Sequence, residues 1–136
     1  MAEKDKEYKD VDLKAYFEAH QGVGVLATAD SNGKVNAAIY SRPHVENEST
    51  VSFLMADRRS RANVDANPKA AYLFKVDGGY EGVRIYMTKT ATEKDPDAIR
   101  KWREMRGYRG PSYSDEGKWI VTFLVDEVRP LTGSED

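Results

Sequence analysis

Residues 55–68 read MADRRSRANVDANP. One apolar run, VSFL, comes directly before this segment, and another, AAYLF, follows it closely. Short runs rich in β-branched and aromatic residues are typical of strands, and Pro68 disfavours helical backbone angles at Asn67. We therefore predict a strand that ends at Ala56, a short helix that ends near Asn67, and a further strand that begins after Pro68.

The segment carries three arginines within four residues, Arg58, Arg59 and Arg61, with Ser60 among them. In one interpretation, Asp57 caps the helix and the arginines point into water. In the other, the arginines bind an anion, because guanidinium forks and the unpaired N–H groups of a helix N-terminus both match phosphate oxygens. We favour the second interpretation, since cations at a helix N-terminus oppose the helix dipole unless an anion lies between them.

Turn and capping signals divide the rest of the chain. Asn32-Gly33 predicts a hairpin turn, Asp12 is a candidate helix cap, and Asp95 followed by Pro96 predicts another helix start. Besides the arginine segment, the predicted helices are LKAYFEAH and DPDAIRKWREM. The predicted strands are VGVLATAD, VNAAIYSR, TVSFLMA, AAYLFKV, VRIYMTKTATE and KWIVTFLVDEV.

Six predicted strands with two or three short helices indicate a mainly β fold. The order of elements lacks the strict βαβ alternation of a doubly wound sheet. Several strands are apolar on both faces at their centres, as in VGVLA, AAYLF and WIVTFLV. Antiparallel strands buried on both faces occur where a sheet closes into a barrel or is covered by a partner. We therefore predict a small antiparallel barrel with helices at its edge, and a two-fold homodimer that supplies the second cover.

Length and composition limit the classes of protein to which the chain can belong. A chain of 136 residues fits one domain, and we expect 1–10 to be a flexible N-terminus and 11–136 to form the domain. The absence of cysteine excludes disulfides, thiolate metal sites and cysteine nucleophiles. A net charge of −2 gives no field that favours nucleic acid. With no membrane-spanning apolar run and no signal-peptide pattern, we expect a cytoplasmic protein without a membrane or nucleic-acid partner.

Classical catalytic and metal-binding patterns are missing. The only two histidines, His20 and His44, stand alone, without a metal-ligand spacing. No Ser-His-Asp arrangement follows from the spacing of the residues. We therefore predict no metal site and name no catalytic residue.

The run from GVLATADSNGKVNAAIYSRP through MADRRSRANVDANP to AAYLF resembles the pyridoxamine 5′-phosphate oxidase-like family of FMN-binding split barrels. The resemblance covers about Gly22 to Val128 and is most specific at Asn63, Asn67 and Pro68. It implies a six-stranded antiparallel split β-barrel that binds FMN in a cleft between two subunits. The oxidases proper carry a lysine where this chain has Ser60, and a C-terminal extension that binds pyridoxal phosphate. We therefore expect a short form of the family rather than the oxidase itself.

The resemblance implies FMN contacts from two segments. On a strand, Asn36, Ala38, Tyr40 and Arg42 share one face. The small Ala38 would let a flat ring approach the backbone, and Arg42 is either a cation near the pyrimidine edge of the ring or a surface cation. The implied ring contacts are Ala38, Ile39, Tyr40, Ser41, Arg42, Met55, Ala56 and Asp57; the implied phosphate contacts are Arg58, Ser60, Arg61 and Asn63, with a weaker claim for Arg59.

The function implied by the resemblance is that of an FMN-dependent oxidoreductase in which the flavin does the redox chemistry. Its partner would be a small-molecule substrate or an electron donor such as NAD(P)H. The alternatives are a non-catalytic flavin-binding or electron-carrier protein, a haem-binding split barrel, and F420 in place of FMN. The basic helix around Trp102 is either a solvated face or a surface that overhangs the flavin of the partner subunit and meets an anionic substrate.

Overall fold

The computed structural model describes residues 11–106 and 118–133. The expected flexibility of 1–10 therefore lies outside the described residues, as does the loop between the last helix and the last strand. The described helices are α1 (Leu13–Ala19), α2 (Arg59–Ala66) and α3 (Pro96–Met105). The described strands are β1 (Gly22–Ala29), β2 (Val35–Ile39), β3 (His44–Asn47), β4 (Thr50–Ala56), β5 (Lys69–Val76), β6 (Gly82–Glu93) and β7 (Lys118–Pro130).

The strands form one antiparallel sheet in the order β2-β1-β5-β6-β7-β4-β3. The mainly β, antiparallel character and the short helices are confirmed. The predicted count of six strands is wrong, because the described residues form seven. The additional strand, β3, is four residues long and pairs only with β4 among the described residues. Its sequence, HVEN, is too short and too polar to show the alternation that predicts a strand.

Closure of the sheet into a barrel is not seen. Strands β2 and β3 lie at the two ends of the sheet order and pair with one neighbour each in the described part of the chain. The sheet packs on a core that is rich in aromatic side chains. The ring centroids of Phe53 and Tyr72 are 5.1 Å apart, and those of Phe53 and Phe123 are 5.9 Å apart. From α1, Phe17 packs edge-on against Phe74 with 5.3 Å between centroids, so α1 covers one side of this core.

Helix α3 packs on a second, smaller apolar cluster. Ile99 and Trp102 of α3 lie against Ile120 of β7, and all three side chains are buried. The helix starts as predicted, with Asp95 accepting a hydrogen bond from the backbone N of Asp97 and with Pro96 in the first turn. These contacts hold α3 beside the carboxyl half of β4.

Strand β2 is shorter than predicted, ending at Ile39 rather than at Arg42. The backbone of Tyr40 still bonds to β1 through Gly24, at 3.0 Å, but the chain then turns away. Beyond the turn, the guanidinium of Arg42 donates to the carbonyls of Phe17 and, at 2.6 Å, His20 at the end of α1. The segment after β2 is therefore fastened to α1 instead of continuing the sheet.

The predicted capping by Asp12 is confirmed, since its carboxylate accepts from the backbone N of Ala15 at 3.2 Å. Capping of α2 by Asp57 is wrong. The N-cap residue of α2 is Arg58, and no side chain caps this helix. The described helices include none that is long and apolar enough to cross a membrane.

Candidate functional site

A groove of about 440 Å³ runs along β2 toward the first turn of α2. We call it the β2 groove. One side of the groove is lined by β2 and the residue after it, with small side chains at Ala37 and Ala38. The other lining residues come from β4, the start of α2 and the start of β7. Its lining residues are Asn36, Ala37, Ala38, Ile39, Tyr40, Leu54, Ala56, Arg58, Arg59, Ser60 and Lys118.

The α2 end of the groove is polar and cationic. Arg58 and Arg59 enter it from the start of α2, and buried Ser60 accepts a hydrogen bond from the side-chain amide of Asn36 at 3.3 Å. Because α2 lacks a side-chain cap, the N–H groups of its first turn have no partner within the helix. Two guanidinium groups, a hydroxyl and a helix N-terminus thus converge on one place, which is an arrangement suited to a phosphate.

Tyr40 stands beside this polar end. Its hydroxyl hydrogen-bonds to Ser60, and burial raises its pKa above the ordinary tyrosine value, although the Ser60 bond and the charge of Arg58 both act in the opposite direction. Because a raised pKa favours the protonated form, Tyr40 stays neutral at physiological pH. Its hydroxyl can therefore donate a hydrogen bond as well as accept one.

Arg61 does not line the groove. Its Nη1 lies 3.1 Å from Asp57 Oδ1 and its Nη2 lies 3.3 Å from Asp65 Oδ2. Its guanidinium carbon lies 3.8 Å from the centre of the Trp119 ring. Residues two apart on a helix point about 200° away from each other, so Arg59 faces the groove where Arg61 cannot. The acidic residues four positions before and after Arg61 are a sequence signal for this pairing.

Three further residues from the sequence prediction lie outside the groove lining. Met55 is fully buried in the core, on the face of β4 opposite Leu54. Asn63 is buried and donates to the Thr28 hydroxyl at 3.0 Å, which fastens α2 to β1. Asp57 is exposed and pairs with Arg61.

The structure thus brings together about half of the predicted site. The predicted residues that line the β2 groove are Ala38, Ile39, Tyr40, Ala56, Arg58 and Ser60, together with Arg59, which had the weaker claim. The lining residues that sequence reasoning did not assign are Asn36, Ala37, Leu54 and Lys118. No pattern in the neighbouring sequence marks Lys118 as a site residue. It reaches the groove from β7, which pairs with β4 only in the folded sheet.

Ser41 and Arg42 line an adjoining pocket of about 290 Å³ beneath α3. We call this the α3 pocket. It shares Ile39, Tyr40, Leu54 and Lys118 with the β2 groove, so the two spaces lie next to each other. Its other lining residues are Phe53, Trp102, Arg103 and Arg106.

Neither histidine lines the groove or the pocket. His20 Nδ1 lies 2.9 Å from the Tyr16 carbonyl, and its Nε2 lies 3.1 Å from Glu81. His44 Nε2 lies 3.9 Å from Glu46. Within 11–106 and 118–133, no three His, Cys, Asp or Glu side chains cluster in a way that could hold a metal ion.

The sequence matches no protein-family model and no curated protein. Comparison of the structure finds similar folds. An FMN-binding protein from Syntrophomonas wolfei subsp. wolfei is 18% identical, with a TM-score of 0.76 over 95% of this chain and 89% of that chain. HupZ from Group A Streptococcus is 21% identical, with a TM-score of 0.67 over 93% and 92%. A candidate pyridoxamine 5′-phosphate oxidase from Lactobacillus delbrueckii is 17% identical, with a TM-score of 0.66 over 89% and 93%.

These similarities extend over nearly the whole of each chain. The chain therefore has the fold of these proteins, and the resemblance to pyridoxamine 5′-phosphate oxidase-like proteins is confirmed at the level of the fold. At 17% to 21% sequence identity, the comparison supports a shared architecture. The function has to be argued from the residues of the site.

Proposed function

We propose that the β2 groove binds FMN and that the chain is an FMN-binding flavoprotein of the pyridoxamine 5′-phosphate oxidase-like split-barrel family, acting as an oxidoreductase. The observation that carries this proposal is the pairing of Arg58 and Arg59 at the uncapped start of α2 with the small-residue wall of β2. FMN has the matching shape, with a phosphate at one end and a flat ring at the other.

The residues of the groove fit the three parts of FMN. Arg58, Arg59 and the N–H groups of α2 would hold the phosphate dianion. Asn36 and Ser60 offer hydrogen bonds to the ribityl chain. The small side chains of Ala37 and Ala38 leave room for the ring against β2. The volume of about 440 Å³ lies within the range of small-molecule sites.

The redox chemistry would belong to the flavin, which accepts and returns electrons when bound. The protein would bind it, orient it and limit its contact with water. Lys118 lines the groove, where it could hydrogen-bond to the ring edge. The neutral Tyr40 hydroxyl lies beside Ser60, where it could hydrogen-bond to the ribityl chain or the phosphate. A small-molecule substrate or an electron donor such as NAD(P)H would react beside the ring. Consumption of NAD(P)H with an added electron acceptor separates an enzyme from a flavin carrier that uses the same groove.

The first prediction concerns the cofactor. Purified protein freed of any flavin should bind FMN with a dissociation constant in the low micromolar range or below, about 8 kcal/mol of binding free energy. Quenching of FMN fluorescence and shifts in its absorption bands measure this binding. A titration that leaves both signals unchanged would refute the proposed cofactor.

The same proposal includes a homodimer, which is supported by an apolar row on the outer face of the sheet. The register places Val25 opposite Ile39 on one side and Leu73 on the other. Ile39 is 71% exposed and Leu73 is 39% exposed. Val23, in the same strand as Val25, is also exposed. Since this row reaches the β2 groove at Ile39, a second copy on it would cover both the row and the open side of the groove.

The second prediction tests this dimer. Leu73→Glu places a charge in the apolar row and should convert a dimer to a monomer at micromolar concentration, because an unpaired buried carboxylate is strongly unfavourable. Leu124→Glu is the matched control, since Leu124 is 42% exposed and lies on β7 outside the row. Light scattering measures both variants. A wild-type monomer, or equal behaviour of the two variants, would contradict the assigned interface.

A further inference from the structure

We propose that the α3 pocket binds the anionic group, a carboxylate or a phosphate, of a small molecule whose other end reaches the β2 groove. This proposal rests on the proposed function only in naming flavin as the molecule that occupies the β2 groove. The binding of the anion itself follows from the residues of the pocket.

The lining of the α3 pocket is rich in positive charge. Of its ten lining residues in the described part of the chain, four are cationic, namely Arg42, Arg103, Arg106 and Lys118. The lining residues in the described part of the chain include no Asp or Glu. Cations brought together in a cleft create a positive potential that favours an anion, and guanidinium groups offer the paired donors that carboxylate and phosphate oxygens accept.

Neutral contacts hold Arg42 in place. Its guanidinium donates to the carbonyls of Phe17 and His20, and Arg106 in turn donates to the carbonyl of Arg42. A carbonyl orients a guanidinium without cancelling its charge as a carboxylate would. The charges of Arg106 and Arg42 also act on Tyr72, where they oppose the larger effect of burial, which raises the pKa of that hydroxyl.

Trp102 is fixed in the wall of the pocket. Its indole N–H donates to the buried Ser52 hydroxyl at 2.9 Å. Ser52 donates onward to Glu46 at 2.7 Å, and the body of the ring is buried against Ile99 and Ile120. The Arg106 guanidinium lies over the face of this ring, 5.2 Å from its centre, so the ring holds a cation beside the pocket.

The α3 pocket lies next to the β2 groove. Ile39, Tyr40 and Leu54 line both the pocket and the β2 groove. A molecule anchored by its anionic group beneath α3 would therefore extend toward whatever occupies the groove. In the proposed flavoprotein, that neighbour is the flavin ring, so the pocket would select substrates or electron donors that carry a negative charge.

The test uses two probes of equal shape on the FMN-loaded protein. Calorimetric titration should show that 4-nitrobenzoate binds at least about tenfold more tightly than the neutral 4-nitrobenzamide. Arg103→Gln should weaken the benzoate by about tenfold and leave the amide unchanged. Arg100→Gln is the matched control, because Arg100 lies on the same helix but is exposed and pairs with Asp97 at 3.2 Å. Lys118→Gln repeats the test from β7, in case the α3 variant alters the helix.

The same titrations in flavin-free protein separate this proposal from the proposed function. If FMN fails to bind while the benzoate binds as described, the proposed function fails and the anion pocket stands. Equal affinities for the two probes, or benzoate binding that both Arg103→Gln and Lys118→Gln leave unchanged, would overturn the pocket. Displacement of FMN by the benzoate would overturn it too, since the anion would then occupy the α2 end of the groove.

Discussion

Alanine at Arg58 or at Arg59 is expected to weaken FMN binding by roughly ten- to a hundred-fold. Both residues line the α2 end of the β2 groove, and each substitution would remove charge-assisted hydrogen bonds to the phosphate worth about 1.5–3 kcal/mol. The fold should survive either change, because neighbouring cations at a helix N-terminus do not stabilise the helix. The quantity to measure is the ratio of FMN affinity to riboflavin affinity, since riboflavin has the same ring and ribityl chain without the phosphate.

Arg61→Ala is the matched control within the same turn. Its guanidinium is already neutralised by Asp57 and Asp65 and stacked on Trp119. This variant should lose some stability, because that cluster joins α2 to β7, but the ratio of affinities should stay near the wild-type value. A ratio that falls for Arg61→Ala and stays constant for both groove variants would reverse our assignment of the phosphate site.

The arginine segment shows which parts of the candidate site could be predicted from the sequence. The cluster of arginines, the strand before it and the helix after it were predictable, because each depends on local spacing and on Pro68. Which arginine faces the ligand depends on side-chain pairing around α2, because Arg61 is held by Asp57, Asp65 and Trp119. Arg59 lies two positions away, about 200° around the helix axis, and lines the groove. The expectation taken from the resemblance favoured Arg61 over Arg59 because it did not weigh this pairing.

The strand count failed for a different reason. β3 forms because β4 offers it a pairing edge, not because HVEN has a strong intrinsic preference for a strand. Arg42 likewise lies off the predicted face of β2, because it donates to carbonyls at the end of α1, which is distant from it in sequence. The α3 pocket is also a product of long-range contacts, as it joins residues from the segment after β2 with residues from α3 and β7. Spacing along the chain predicts neighbours within an element, whereas these contacts arise between elements that are distant in sequence.

Gly24→Ala is expected to lower the free energy of unfolding by about 3 kcal/mol or more, in the range of severe overpacking. A methyl group at this position would lie 1.8 Å from the Tyr72 hydroxyl oxygen and 2.6 Å from the carbonyl oxygen of Tyr40. The Tyr72 hydroxyl donates to that same carbonyl at 3.0 Å, inside the core. The added carbon would therefore break this hydrogen bond and also press against backbone, which cannot move as a flexible side chain would.

The consequence should extend to the ligand, because Tyr40 is both the residue displaced by the methyl group and a lining residue of the β2 groove. FMN and riboflavin should then lose affinity together, unlike the selective loss of FMN in the Arg58 and Arg59 variants. Gly79→Ala is the control, since a methyl group there would contact nothing within 4 Å. Chemical denaturation gives the stability of both variants, and titration with the two flavins gives the affinities. If Gly24→Ala were as stable as Gly79→Ala, the close packing of β1, Tyr72 and Tyr40 would not be the constraint that shapes the groove.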